Sequence, residues 1–489
     1  MSELPKGWSK QQLGSLASTI TKGTTPTTIG FQYQSEGIPF IKVENIENNR
    51  IYHSSVYQFI SLEAHSSLSR SAFEAGDVLF SIAGTIGKTA LVSESDLPCN
   101  TNQAVAIIRG ATETLVADYL KYNLTYRAKE IFQDNARGGA MNNVSLGDLK
   151  KTLINIPPLA EQKRIVEKLD QVLAQVDTIK ARLDGIPAIL KRFRQSVLAA
   201  AVSGKLTEEW RGEKKPAHVS FNEIKLIKEN LIKNKVAKKD LEAKEGRLLH
   251  SMPKEWLCVK LCSVALKITD GEHKTPKREG TGNYLLSARN VRDGYIALDN
   301  VDYVGDEEFS KLRKRCDPNK GDILISCSGS VGRVCLVDED DKYVMVRSAA
   351  LVRGIDEIIF NKFMMLALQS PILQKNIEDS SRSTAQSNLF LGPIKELDIP
   401  LPSLKEQTEI VRLVDQYFAF ADTIEKQVQK AQQRVDKLTQ SILAKAFRGE
   451  LVPQDPRDEP ADQLLKRIAA ARAESEALAK AAKKVGKRK

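Results

Sequence analysis

Two periodicities alternate along this chain, and they do so twice. Short apolar runs bounded by Gly, Pro and Asn come first: "IPFIKV" (38–43), "DVLFSI" (77–82) and "AVAIIR" (104–109), then later "NYLLSA", "DILISC" and "AALVR". Runs of this length and composition predict β-strands. Each set is followed by an amphipathic stretch that predicts a helix, at 114–134 and 361–378, then by a short strand, "TLINI" or "ELDIP". Prolines (Pro157 and Pro158; Pro400 and Pro402) stop that strand, and a long helix begins directly after them. Along it, Ile165, Leu169, Val172, Val176, Ile179, Leu183, Ile186, Leu190, Phe193 and Val197 recur at alternating spacings of four and three. The second long helix repeats the pattern at Ile410, Val414, Tyr417, Ala421, Ile424, Val428, Ala431, Val435, Leu438 and Ile442. A sustained 3.5-residue period predicts a left-handed coiled-coil seam rather than one broad surface face. Pro187 interrupts the first helix without shifting its phase.

The duplication extends to exact strings. "PKGW" (5–8) returns as "PKEW" (253–256), and "ITKGTTP" (20–26) as "ITDGEHKTP" (268–276). "GDVLFSIAGTIGKTALV" (76–92) returns as "GDILISCSGSVGRVCLV" (321–337), and "LAEQKRIVEKLDQVLAQVDTI" (159–179) as "LKEQTEIVRLVDQYFAFADTI" (404–424). The expected fold is therefore α+β: two duplicated domains joined by two long helices that form an antiparallel coiled coil about a pseudo-two-fold axis. The expected boundaries are 1–155 and 253–399 for the domains and 156–206 and 400–451 for the helices. A charged helical linker is expected at 207–252 and a basic tail at 452–489. From 165 to 197 the helix pair would measure about 48 Å at 1.5 Å per residue, or about 14 base pairs of duplex.

Repetition also settles a false lead. "GTIGKT" (84–89) resembles the end of a phosphate-binding loop, but the first glycine of that motif is replaced by Ile82. The second copy reads "GSVGRV", keeping both glycines and losing the Lys and the Thr. The shared glycines thus serve a tight turn between strands, and ATP binding by this chain is discarded.

Composition narrows the chemistry. The chain has 489 residues and a net charge of +11. Residues 211–250 and 461–489 carry that whole excess, so it marks two basic segments that suit either a phosphate backbone or solvent. No C-x-x-C pair, H-E-x-x-H motif or Cys/His cluster points to a metal or a catalytic site. "NIPP" (155–158) and "EAK" (242–244) are incomplete matches to methyltransferase and nuclease motifs. With no apolar N-terminal segment and no membrane-length run, a cytoplasmic protein is expected.

The loops, unlike the frame, are not repeated. "TTPTTIGFQYQSEG" stands against "EHKTPKREGTGN", and "NARGGAMNNVS" against "SSRSTAQSNLF". Two related frames with different polar surfaces suit two readers of different base sequences. The candidate DNA contacts are Lys22, Thr24, Thr25, Thr27, Lys88, Arg137, Asn142 and Asn143 in the first copy. In the second they are His273, Lys274, Lys277, Arg278, Arg333, Arg382, Gln386 and Asn388.

The strings "IPPLAEQKRIVEKLD" (156–170), "AILKRFRQSVL" (188–198), "GKLTEEWR" (204–211), "ADTIEKQV" (421–428) and "LTQSILAKAFRGEL" (438–451) carry a resemblance over nearly the whole length. The chain resembles the DNA-specificity subunits of type I restriction–modification enzymes, most of all the type IA subfamily. The resemblance implies two target-recognition domains that read the halves of a bipartite, asymmetric site on double-stranded DNA. It further implies helices that set the gap and hold two methyltransferase subunits, which modify adenine with S-adenosylmethionine. Two restriction/translocase subunits would add ATP- and Mg-dependent cleavage, and this chain would hold no catalytic site, metal or cofactor. The alternatives are a stand-alone two-headed architectural or regulatory DNA-binding protein, or a metabolic enzyme whose site has no recognisable motif.

Overall fold

A computed structural model describes residues 4–47, 49–111, 115–135, 143–247, 252–381 and 388–471. The chain divides into two compact units, one built from 1–183 with 430–489 and the other from 184–429.

In the first unit a four-stranded antiparallel sheet runs in the order Thr19–Lys22, Val105–Arg109, Val78–Ser81, Thr89–Leu91. Its central strands are buried on both faces, which is why they read as continuous apolar runs. Alternation sorts them: Val78, Phe80, Ala106 and Ile108 face one core, where Tyr119, Leu120 and Leu124 of the helix Ala117–Asn135 pack. Leu79, Val105 and Ile107 face a second core with Ile41, Val43 and Phe73. A three-stranded sheet places Ile38–Ile41 antiparallel to Phe59–Ile60 and parallel to Asn100–Thr101. Ser9–Gln12 pairs with Leu153–Ile156, the strand that leads into the long helix.

The second unit repeats this topology. Its sheet runs Ala265–Asp270, Ala349–Gly354, Ile323–Ser326, Val334–Leu336, all antiparallel. Asn283–Leu286 pairs antiparallel with Asp302–Val304 and parallel with Tyr343–Met345. The single helix expected at 361–378 is two, Asn361–Leu368 and Pro371–Ser381. Pro371 has no N–H to continue the first and suits the start of the second.

The long helices are Leu159–Val202 and Leu404–Phe447, and the first continues through Pro187. Matched clamps join each helix start to its own domain. Trp8 Nε1 donates to Glu161 Oε2 at 3.0 Å, and Trp256 Nε1 to Glu406 Oε2 at 3.0 Å. Gln162 donates to the Pro157 carbonyl at 3.0 Å and accepts from Val116 N at 2.9 Å. Gln407 does the same with Pro402 at 2.9 Å and Phe360 N at 2.7 Å. All four acidic and amide side chains are buried. The recurring "PKGW/PKEW" and "L-x-E-Q" strings are the two sides of this clamp.

Within each unit, stretches of the two helices pack antiparallel. In the first, Ile165 and Leu169 share a core with Ile442, Leu443 and Phe447, while Lys180 lies 3.5 Å from Asp436. In the second, Phe193 meets Tyr417 edge-on at 6.2 Å, Arg194 pairs with Asp422 and Glu425, and Thr207 reaches Glu406. Burial along the seam is uneven, which corrects the picture of a continuous apolar strip. Ile165, Leu169, Val176, Leu190, Ile410, Val414, Val428 and Ile442 are buried, but Ile179 and Leu438 are 46% and 49% exposed. Val172, Leu183, Phe193, Ile424 and Val435 are half-buried. Where no domain covers the pair, two helices alone cannot enclose a large side chain.

Candidate nucleic-acid interface

The divergent loops leave both units at one equivalent point. Gly23 directly follows the first strand of its sheet and Gly271 the corresponding strand of the other. A Cβ at Gly23 would lie 2.2 Å from the carbonyl oxygens of Thr101 and Asn102, and one at Gly271 would lie 2.1 Å from that of Met345. Only glycine lets the chain cross there. The next residue is tied down at the crossing in both units: Thr24 N donates to Thr101 O at 3.1 Å, and Glu272 N to Met345 O at 2.9 Å.

Beyond the crossing the two surfaces differ. In the first unit Lys22 and Thr27 are exposed, Arg70 donates to Thr24 Oγ1 at 3.2 Å, and the Thr25 hydroxyl donates to Gln103 Oε1. In the second, Asp270 accepts from Arg315 at 3.1 Å and lies 2.7 Å from His273 Nε2. Glu272 accepts from the backbone N–H groups of Lys274 and His273, and these bonds hold its carboxyl below the usual range. Lys274 and Lys277 are exposed, and Arg278 pairs with Asp302. Asn143 is exposed, and Asn388 is half-buried and bridges to Ser328. Arg137, Asn142, Arg382 and Gln386 lie outside the described residues. Gln103, Arg70 and Arg315 were absent from the sequence-based candidates because only folding brings them beside the loops.

The "GTIGKT" turn has the same construction in both units. Gly84 and Gly87 have φ of 70° and 93°, and Gly329 and Gly332 have 69° and 88°. Ser81 accepts from Gly87 N and Lys88 N, and its hydroxyl donates to Thr85 O at 2.6 Å. Ser326 does the same with Gly332, Arg333 and Ser330. These N–H groups are turned inward to a serine rather than outward to a phosphate. Lys88 likewise donates to the Val43 carbonyl at 3.0 Å, and Arg333 is half-buried on the same turn. The "G-D" of the same motif is an anchor: Arg109 grips Asp77 at 2.8 and 2.7 Å, and Arg353 grips Asp322 at 2.7 and 2.6 Å. The bond to Asp77 raises the Arg109 guanidinium further above its ordinary value, and the bond to Asp322 does so for Arg353.

The basic linker is not a free arm. Among its described residues, Glu208–Lys214 and Phe221–Lys233 are α-helical. Ile224 and Leu241 enter the core of the second unit, and Lys228 is buried with its ammonium on the Ala265 carbonyl at 2.7 Å. Lys244 and Lys395 pair with Glu396 and Asp240. The start of the tail folds onto the first unit through buried Ala461 and Leu464 and an Asp458–Arg164 ion pair. Among the described residues no cluster of His, Cys, Asp and Glu could hold a metal, and no helix is long and apolar enough to cross a membrane.

The family model for the type I restriction modification DNA specificity domain matches this chain twice, at residues 5–188 and 253–433. The chain belongs to that family. Both copies of the specificity domain begin just before the Trp of the clamp and end within a long helix. The EcoBI specificity subunit of Escherichia coli is 33% identical, with 96% of this chain and 93% of that one covered. The EcoKI specificity subunit of Escherichia coli strain K12 is 31% identical, with 97% of each covered. Among solved structures, the specificity subunit HsdS of Thermoanaerobacter tengcongensis has the same fold, with a TM-score of 0.51 over 92% of this chain at 20% identity. A chain from a study of complex assembly and conformational transition in the type I restriction–modification system gives 0.59 over 92%.

Proposed function

We propose that this chain is the sequence-specificity subunit of a type I restriction–modification assembly, not catalytic by itself. One observation carries the reading: a single frame, clamped to two long helices by the same Trp–Glu and Gln–carbonyl bonds, is present twice and bears two different polar loop sets. Each specificity domain reads one half of a bipartite, asymmetric site on double-stranded DNA, and the helices set the unspecified gap. Two methyltransferase subunits bound to the chain modify adenine with S-adenosylmethionine. Two restriction/translocase subunits bring ATP- and Mg-dependent chemistry. The setting is the cytoplasm, where both the DNA and these partners are found.

The test is co-expression with the cognate methyltransferase subunit, followed by mapping of methylated adenines across genomic DNA. A bipartite motif with a fixed gap is expected, and it should be absent when either protein is expressed alone. Sequence-specific binding by the isolated chain, with no methylation in the presence of the partner, would instead establish a stand-alone DNA-binding protein.

A further inference from the structure

A turn next to the divergent loops is built alike in both units and carries different side chains at its corner. In the first unit it is 102–105, closed by Val105 N donating to Asn102 O at 3.3 Å; in the second it is 346–349, closed by Ala349 N to Val346 O at 3.2 Å. Each turn follows directly on the parallel strand, Asn100–Thr101 or Tyr343–Met345. An equivalent bond of equal length pins each turn, from Ile82 N to Ala104 O and from Cys327 N to Ser348 O, both 2.8 Å, and the second is held as well by Arg347 N donating to Glu272 O at 3.0 Å. The glycine crossing presses on its backbone from the other side. These backbone bonds leave the corner side chain exposed in both units: Gln103 in the first and Arg347 in the second.

The two corners are chemically unlike. The Thr25 hydroxyl donates to Gln103 Oε1, which orients the amide and leaves its N–H groups and a second oxygen lone pair outward. The guanidinium of Arg347 has no hydrogen bond or ion pair among the described residues, whereas neighbouring Arg315 is held by Asp270 and the Gly271 carbonyl. An amide offers a donor and an acceptor together, matching N7 and the N6 amino group of adenine. A guanidinium offers two parallel donors, matching N7 and O6 of guanine. We propose that Gln103 and Arg347 are equivalent base-reading residues, each contacting one base edge in its own half-site, adenine for Gln103 and guanine for Arg347. The loops surround these rigid corners and read the neighbouring positions.

This inference rests on the proposed function, and one experiment separates the two. The full chain in complex with its methyltransferase subunit is assayed on a library with both half-sites randomised. Arg347→Gln should lower or redirect the preference at one base pair of one half-site by about ten-fold or more, leaving the other half-site unchanged. Gln103→Arg should act likewise on the other half-site. Arg347→Lys keeps the charge and loses the fork, so it should lose the base preference while retaining affinity for unrelated DNA. Unchanged preferences at every position in all three variants would overturn the inference and leave the proposed function standing. So would an equal loss of affinity on target and unrelated DNA, the mark of a phosphate contact. A wild-type complex that methylates no bipartite sequence would overturn both.

Discussion

The paired clamps show how one residue type can be stabilising in one copy and costly in the other. Glu406 is fully buried and accepts from Trp256 Nε1, Thr207 Oγ1 at 2.7 Å and Arg211 Nη1 at 2.6 Å. Its counterpart Glu161 accepts from Trp8, and its Oε1 has no hydrogen-bond partner among the described residues. Burial pushes the Glu161 carboxyl above its ordinary value, although the Trp8 bond and nearby Arg164 pull the other way. Removing charge at Glu406 leaves the half-buried Arg211 with only the Gly204 carbonyl and takes the charged partner from Thr207 and Trp256, so Glu406→Gln should cost about 2–4 kcal/mol. Glu161→Gln should stay within about 1 kcal/mol of wild type at neutral pH. A carboxyl raised in the folded state stabilises when protonated, and that contribution is lost as pH rises through the raised value. The stability of wild type relative to Glu161→Gln should therefore improve on acidification from neutral pH. Denaturant unfolding of both variants, followed by hydrogen exchange at the two helix starts, reads each unit separately. A larger loss for Glu161→Gln than for Glu406→Gln would refute the assignment.

Among elements, those whose burial is periodic were legible in the sequence, and those whose burial contradicts their composition were not. Val78–Ser81 and Ile323–Ser326 stand out because both faces of a central strand need apolar residues. The helix seams stand out because the heptad is long. The break at Pro371 was readable from proline chemistry, yet the apolar period runs across it. Parallel pairing of Ile38–Ile41 with Asn100–Thr101 joins segments too far apart for any local pattern to signal. The divergent polar loops of the proposed DNA-reading set stood out in the sequence; Gln103 and Arg347 did not, because each falls in a short turn just before an apolar strand. The linker was the hardest to read, since its many lysines suggest solvent while the helix Phe221–Lys233 is docked by Ile224 and Lys228.

Lys228 also makes that docking testable. Burial lowers its ammonium from the ordinary lysine value to about 8, with the nearby Cys262 and Asp240 partly opposing the shift. A base depressed in the folded state binds fewer protons than in the unfolded chain, so stability rises with pH between about 8 and the ordinary lysine value. Below that window both states are charged and the burial cost is constant. Lys228→Met should remove the alkaline rise, on the order of 3 kcal/mol for a shift of this size. It should also leave the helix docked at neutral pH. Thermal unfolding of wild type and variant from pH 7 to 10, with limited proteolysis within 211–247, checks both statements. Parallel pH profiles would show that the lysine titrates outside the interface.

At the scale of the whole molecule, modular specificity has a structural condition. The first unit takes Ile442, Leu443, Ala446 and Phe447 from the far end of the chain into its core. Phe447 sits 5.4 Å from both Tyr119 and Tyr126, and its carbonyl accepts from Asn155 at 3.1 Å. Exchanging residues 1–155 for the equivalent domain of a relative should change one half of the methylated motif and leave the other intact. The exchange should nonetheless destabilise the chimera where the donor lacks the residues that receive Phe447. Moving residues 430–465 from the same donor as well should restore stability without a further change in the motif. Methylation mapping and thermal melts on both chimeras measure the two effects independently. A change in both half-sites after the first exchange would show that the domains do not read separately.

That same composition sets an order of events during synthesis. Domains ordinarily fold as they emerge from the ribosome, the N-terminal one first. Here residues 184–429 form one continuous stretch and can close their core as soon as they are made. The stretch 1–183, translated earlier, lacks one wall until Phe447 has been added. The domain made first is thus the one completed last. In the interval its unmatched face, with Tyr119, Tyr126 and the apolar side of the helix from Leu159, is the part of the nascent chain with most to gain from a chaperone.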